Sequence, residues 1–238
     1  MIQIEITTQC NLTCFYCTGR HMEQKQMDMD VFKDIVTDLL PGTLVHLQGE
    51  GEPLLHPRFG EMVDLCTRLR LNISTTTNGT IPFDINKVNN FHVSLDTLDP
   101  EVAETIGRHH LDKTLRNLET WIKQDRRKLC IRITDHGQEL RSVYAYCNAR
   151  NLRYEVQKLN NKEEYGVCYP VKVVEEQKTR KPSCHFVRTG FKYYTVDGHR
   201  LPCCFIKFPK QTLGEILADF QEGNVPSSCR GCPMLRYY

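Results

Sequence analysis

Cys10, Cys14 and Cys17 form a CxxxCxxC triplet at the end of the first strand-like segment. Three thiolates are one short of the set that closes a cubane iron–sulfur cluster. An iron left without a protein ligand can bind a substrate or cofactor, much as a catalytic zinc keeps an open position. The spacing therefore points to a reactive metal site, with a zinc site that takes a distant fourth ligand as the alternative. The Phe15-Tyr16 pair inside the triplet favours the first reading. A loop that only had to hold metal has no use for a large ring just before its last ligand. An aromatic there can cover a planar group bound at the open iron.

The elements that must position this loop follow from hydrophobic period. Strand segments are predicted over Ile2–Thr7, Thr43–Gln48, Leu71–Thr76, Phe91–Leu95, Leu129–Thr134 and Leu152–Leu159. Helical spacing follows Asp28 (Phe32, Ile35, Val36, Leu39) and recurs at Phe59, Met62, Val63, Cys66 and again at Leu111, Leu115, Leu118, Ile122. Six strands separated by helical connections imply parallel pairing and an α/β sheet or partial barrel. Sites in such folds lie at the carboxyl ends of the strands, where the triplet falls.

Composition narrows the class. The 238 residues carry 31 basic and 29 acidic side chains, which argues for no nucleic-acid partner. No apolar run reaches the ~18 residues of a membrane span, and Met1-Ile2-Gln3 does not open a signal peptide, so the chain is expected in the cytoplasm with no membrane partner. Twelve cysteines in that compartment read as metal ligands, redox groups or buried hydrophobes rather than disulfides. Cys66, Cys130 and Cys147 sit in amphipathic or apolar segments and read as buried hydrophobes.

At this point the resemblance is specific. The segment IEITTQCNLTCFYC, followed by a six-strand α/β pattern, resembles the opening strand and cluster loop of the radical S-adenosylmethionine (SAM) enzymes. Segments similar to that family's SAM-binding motifs come in order after successive strands. Gly49-Glu50-Gly51-Glu52-Pro53 resembles its GGEP motif, with Glu50 in place of the first glycine. Thr77-Asn78-Gly79 and Ser94-Leu95-Asp96 follow, and Arg108 stands where the family often pairs a basic residue with the methionine carboxylate. The resemblance implies a cluster on Cys10, Cys14 and Cys17, cofactor contacts at Tyr16, Gly51, Glu52, Asn78, Ser94 and Arg108, and an external flavodoxin- or ferredoxin-like electron donor. It implies a 5′-deoxyadenosyl radical that abstracts hydrogen from a substrate.

Beyond residue 159 the alternation stops, and 160–183 reads as a connecting segment. Segments Phe191–Val196 and Arg200–Phe205 flank Asp197-Gly198, a hairpin signal, and a short helix (Leu213, Ile216, Leu217, Phe220) leads to Cys229-x-x-Cys232. Cys184, thirteen residues, Gly198, four residues and Cys203 resemble the family's C-terminal SPASM extension. Its later cysteines are absent, which leaves the four-ligand twitch form: Cys184, Cys203, Cys229 and Cys232, a second [4Fe-4S] cluster. Neighbouring residues of a strand face opposite ways, so Cys203 and Cys204 cannot both serve; Cys203 is taken as ligand on its spacing from Gly198, as the resemblance implies, and Cys204 as buried. A zinc ribbon is the alternative for this set.

The expected architecture is thus a partial (β/α)6 TIM barrel over 1–159, a connecting segment and a twitch-type domain over 184–238. The expected activity is oxidation of a small polar metabolite with help from the auxiliary cluster, in a layout similar to the family's short inosamine dehydrogenases. The chain starts at strand one with no module to grip a leader peptide, which favours this over peptide modification. Epimerisation is a further alternative, with Cys168 or Cys204 as hydrogen donor. His109, His110 and Arg153 read as surface residues. A non-catalytic iron–sulfur or zinc protein has no use for the strand-end motifs.

Overall fold

Alternation along the strands decides which face of the sheet each side chain takes. A computed structural model describes residues 1–158, 181–206, 211–230, 232 and 234–238. Strands β1 (Ile2–Ile4), β2 (Leu44–Leu47), β3 (Asn72–Thr77), β4 (Asn90–Ser94), β5 (Leu129–Asp135) and β6 (Arg153–Lys158) lie side by side in chain order. All five pairings among them are parallel. The connections hold α1 (Met29–Thr37), α2 (Phe59–Arg68), α3 (Pro100–Thr105), α4 (Leu111–Asp125) and α5 (Arg141–Ala149), while β3 reaches β4 through one 3-10 turn, Ile85–Lys87. This is the expected α/β partial barrel.

On one face of the sheet Val45, Leu47, Ile73, Phe91, Val93, Ile131 and Ile133 are almost wholly buried. They form one core with Phe32, Val36, Met62, Cys66, Leu118, Trp121, Val143 and Cys147 from the helices. Burying an aliphatic or aromatic side chain of this size stabilises by about 1.5–3 kcal/mol. Cys66 and Cys147 are therefore buried hydrophobes, as their helical spacing predicts. Helix starts follow local chemistry: the Asp28 carboxylate accepts from Asp30 N at 2.7 Å, and Asp99, just before Pro100, accepts from Glu101 N at 2.8 Å. Such caps contribute about 1 kcal/mol each.

β1 is shorter than its predicted span. Beyond Ile4 the neighbouring loop peels away, because Gly49 packs on the Glu5 side chain and the Glu5 carboxylate accepts from Glu50 N at 2.8 Å. The chain then pairs with residues 25–27 instead: Met27 N donates to Ile6 O and Thr8 N to Lys25 O.

Further along lie β7 (Pro182–Cys184), α6 (His185–Arg188), β8 (Lys192–Tyr194), β9 (Arg200–Leu201), α7 (Leu213–Glu222) and β10 (Leu235–Tyr237). β8 and β9 form the antiparallel hairpin signalled by Asp197-Gly198, with Gly198 at φ +81°. β8 also pairs parallel with β1, so the sheet continues past β1. β7 and β10 make a separate two-stranded antiparallel sheet. A Thr212–Glu215 capping box starts α7 and left-handed Gly223 ends it. Most of the expected connecting segment, and Cys168 with it, lies outside the described residues. Among the described residues no helix is long and apolar enough to cross a membrane.

Candidate functional site

The triplet loop is clamped from two sides at the carboxyl rim of the sheet. On one side Thr13 N donates to Gly107 O at 3.0 Å and Phe15 N to Ile106 O at 3.1 Å. On the other Glu52 N donates to Gln9 O at 2.8 Å. Glycines permit both approaches. A Cβ on Gly51 would stand 2.5 Å from Thr7 O, and one on Gly107 would stand 2.3 Å from Thr13 O. Cys17 Sγ lies 3.6 Å from Glu50 O and from Glu50 Oε2. Burial raises the thiols of Cys10, Cys14 and Cys17 above the ordinary cysteine value. Among the described residues no three His, Cys, Asp or Glu side chains converge to hold a single ion.

Tyr16, Ser94 and Arg108 meet around Asp96, which the sequence reading left out of the site. The Tyr16 hydroxyl makes a short hydrogen bond to Asp96 Oδ2, and Arg108 Nη1 reaches the Tyr16 oxygen at 3.0 Å and Asp96 Oδ2 at 3.2 Å. Arg108 Nη2 donates to Ser94 O at 2.7 Å, and Thr134 N to Asp96 Oδ1 at 2.7 Å. Burial works to lower the Arg108 guanidinium, but the adjacent Asp96 charge overrides it and holds the group well above its ordinary value. Burial likewise raises the Tyr16 hydroxyl. The Tyr16 ring stacks on His136, 6.0 Å between centroids, and His136 Nε2 is a buried nitrogen with no hydrogen-bond partner among the described residues.

Two of the expected contact residues are already engaged by protein. Glu52 is 1% exposed and accepts from Leu54 N (3.1 Å), Thr77 Oγ1 (2.8 Å) and Asn78 N (2.6 Å). Its carboxylate ties the loop after β2 to the end of β3. Burial pushes it up to about 7 against those three donors. Asn78 Nδ2 donates to Asn11 Oδ1 at 2.8 Å and stands 3.8 Å from Cys10 Sγ, while its Oδ1 accepts from Thr80. Gly51 packs on backbone.

The second face of the sheet opens on a cavity of about 650 Å³. Its walls hold polar side chains that alternate with the core set: His46, Gln48, Thr76, His92, Ser94, Arg132 and Glu155. Arg153 also borders it and is exposed, as its surface reading expects, and Cys130 lies on this face rather than in the helix-covered core. His109 is tied to Thr13 Oγ1 (2.9 Å) and Glu104 (2.6 Å), whereas His110 caps α4 with φ +66°. The signal for the polar wall was in the sequence. Strands of a parallel sheet covered on both faces read as continuous apolar runs, and these alternate.

The C-terminal cysteines divide. Cys203 and Cys229 are buried in one small cluster with Ile206 and Ile216. Cys184 pairs with Leu235 across β7 and β10, and Cys232 N donates to Cys229 O at 3.1 Å. Cys204 is only half-buried and lines the cavity with Phe191, so its expected burial is corrected.

These residues fit the group that the sequence resemblance implies. The donor set is three thiols on one clamped loop, the glycine contacts fix that loop's backbone, and the orphaned His136 nitrogen lies beside Tyr16. A probable GTP 3',8-cyclase of Methanococcus aeolicus is 26% identical over 223 residues, 83% of this chain and 73% of the relative. A tungsten-containing aldehyde ferredoxin oxidoreductase cofactor-modifying protein of Pyrococcus furiosus is 36% identical over 88 residues, 35% of this chain and 25% of the relative. Streptococcus suis SuiB bound to S-adenosylmethionine shares the fold, with TM-score 0.68 at 14% identity over 89% of this chain and 61% of SuiB. The chain therefore spans about a quarter of the Pyrococcus protein and three-fifths of SuiB. The family model described as the radical SAM superfamily matches residues 4–139, more than half of the chain. With the triplet at the strand rim inside that match, the chain belongs to the radical SAM superfamily.

Proposed function

We propose that the chain abstracts hydrogen from a small polar metabolite and oxidises the resulting substrate radical. One observation carries the reading: the triplet loop sits at the rim of the cavity, with Cys17 against Glu50 and Glu50 in the cavity wall. When bound, a [4Fe-4S] cluster with SAM supplies a 5′-deoxyadenosyl radical that removes a hydrogen atom from carbon. Cys10, Cys14 and Cys17 would hold the cluster, and Gly51 and Asn78 would shape the seat beside it. Arg108 and Asp96 would act by fixing Tyr16 and Ser94, and Glu52 by fixing the loop that carries Gly51.

Residues 1–159 would form the radical-generating barrel and 184–238 an auxiliary domain. Cys184, Cys203, Cys229 and Cys232 would hold a second cluster there. A four-cysteine set leaves no open iron for substrate, which suits electron transfer away from a substrate radical. The reducing electron would come from an external ferredoxin- or flavodoxin-like donor. Cys204 on the cavity wall favours epimerisation as a second reading, since a thiol there can return a hydrogen atom.

The test is anaerobic reconstitution with iron counting and dithionite-driven SAM cleavage. Two cubanes give about eight iron per chain and one gives about four. Zinc without iron, or no 5′-deoxyadenosine, sinks the proposal.

A further inference from the structure

The cavity wall carries an arrangement that radical generation does not require. A barrel interior that only needs packing is filled by branched apolar side chains. Here those side chains face the helices, and β2 to β6 turn His46, Thr76, His92, Arg132 and Glu155 inward. Polar groups in such a place are unfavourable unless hydrogen-bonded, and two networks satisfy them. His46 Nε2 lies 2.5 Å from Gln48 Oε1, which also accepts from Thr76 Oγ1 at 3.0 Å. Arg132 Nε donates to His92 Nδ1 at 2.8 Å, and Arg132 Nη1 makes a short ion pair with Glu155.

The side-chain charges of this wall cancel. Its ionised side chains are Arg132, Arg153, Glu50 and Glu155, two of each sign. Both imidazoles are neutral near pH 7: burial holds His46 at about 4, and burial with the Arg132 charge holds His92 at about 3. Their tautomers follow from the partners. An arginine Nε–H can only donate, so His92 Nδ1 is the acceptor and the proton sits on Nε2. Gln48 Oε1 can only accept, so His46 donates through Nε2 and keeps a lone pair on Nδ1. The two rings lie 5.6 Å apart, edge to face, one keeping a donor and the other an acceptor.

We propose that this charge-balanced wall selects a net-neutral small molecule bearing hydroxyl or amide groups and discriminates against nucleoside triphosphates. Triphosphate recognition needs uncompensated cations or helix N-termini; of the two wall arginines Arg132 already has its carboxylate, and Arg153 Nη2 donates to Arg127 O at 3.0 Å. The volume lies within the roughly 300–1,000 Å³ range of small-molecule sites. GTP is the informative competitor, since a probable GTP 3',8-cyclase is similar over 83% of this chain. The inference rests on the proposed hydrogen abstraction for its chemistry, though not for its binding.

The test uses the iron-loaded protein with SAM, and equilibrium dialysis against guanosine, GTP, myo-inositol and the tetrapeptide Gly-Ser-Tyr-Gly. Guanosine or myo-inositol is expected to bind, with GTP at least about tenfold weaker than guanosine. Glu155→Gln leaves Arg132 uncompensated. Because the Glu155 side chain is 58% exposed, the variant should fold, and the GTP-to-guanosine affinity ratio should rise at least about fivefold. GTP binding as tightly as guanosine in the unmutated protein, an unmoved ratio in the variant, or no neutral probe binding overturns the inference, whereas the tetrapeptide, net-neutral and rich in amides, supports it if it binds more tightly than GTP. Dithionite-driven SAM cleavage without any probe reports on the radical reading separately. Cleavage lost while a neutral probe binds sinks that reading alone, and cleavage kept with GTP bound tightest sinks this one alone.

Discussion

Asp96 and Arg108 form a buried ion pair, 3.2 Å from Oδ2 to Nη1, with the Asp96 side chain wholly screened from solvent. The pair links the end of β4 to the turn after α3, and it holds the Tyr16 hydroxyl between its members. Removing one partner of a buried pair leaves an uncompensated charge and costs about 3–5 kcal/mol. Asp96→Ala and Arg108→Met should each destabilise the protein by that order in urea unfolding. The double variant should lose clearly less than the sum of the two, because neither charge is then stranded. Additive losses would show that the pair does not couple the two elements.

The close approaches at the triplet loop make a second prediction. Gly107→Ala forces a left-handed residue against Thr13 O, and Gly51→Ala drives a Cβ into the backbone of residues 7–9. Overpacking of this kind costs about 1–3 kcal/mol, and both variants should bind less iron at the triplet than the unmutated protein. Gly60→Ala is the control. It lies in α2 with nothing within 4 Å of the added methyl, and alanine there should stabilise by about 0.5–1 kcal/mol. Iron loading that is equal in all three would remove the loop clamp from the account.

Much of this molecule is legible in its sequence, and the gaps have a common cause. Cys10, Cys14 and Cys17 lie in one loop, so spacing alone groups them. The Asp197-Gly198 turn and the Asp28 and Asp99 caps are likewise local. His46, His92, Arg132 and Glu155 come from four different strands, and none is marked out from the other polar residues of its segment. Alternation says that one face is polar, yet it does not say that sheet curvature encloses that face. Glu52 fails for the reverse reason. Its motif is visible, but its three donors come from residues 54, 77 and 78, and only the fold shows that they consume the carboxylate. The docking of β8 on β1 is equally non-local.

Stability should depend on pH through the cavity imidazoles. Their native values, about 4 for His46 and about 3 for His92, lie below the ordinary 6.5. The native state therefore binds fewer protons than the unfolded chain in this range. Their contribution is present above pH 6.5 and is lost as pH falls toward the native values. The urea midpoint should drop between pH 7 and 5, and His46→Gln with His92→Gln should flatten that drop. Glu52 acts in the opposite sense. Raised from 4.5 to about 7, it stabilises most below pH 4.5 and loses that contribution as pH rises through 7. Glu52→Gln should accordingly steepen the acid-side loss. A slope unchanged in either variant would assign the pH dependence to other groups.

Cys203 and Cys204 provide the sharpest test of the C-terminal set, since adjacent residues end in different surroundings. Cys203 is buried with Cys229, Ile206 and Ile216, and Cys204 opens onto the cavity beside Phe191. A ligand must share a space with the other ligands, so iron should follow Cys203. After anaerobic reconstitution Cys203→Ser should fall from about eight toward about four iron per chain, while Cys204→Ser stays near eight. The reverse pattern would exchange their roles. Cys204 also has a signature of its own. If its thiol returns hydrogen to a substrate radical, Cys204→Ala in deuterated water should lose solvent deuterium from the product while 5′-deoxyadenosine still forms. Deuterium retained in the product of that variant would take Cys204 out of the chemistry and leave it a wall residue.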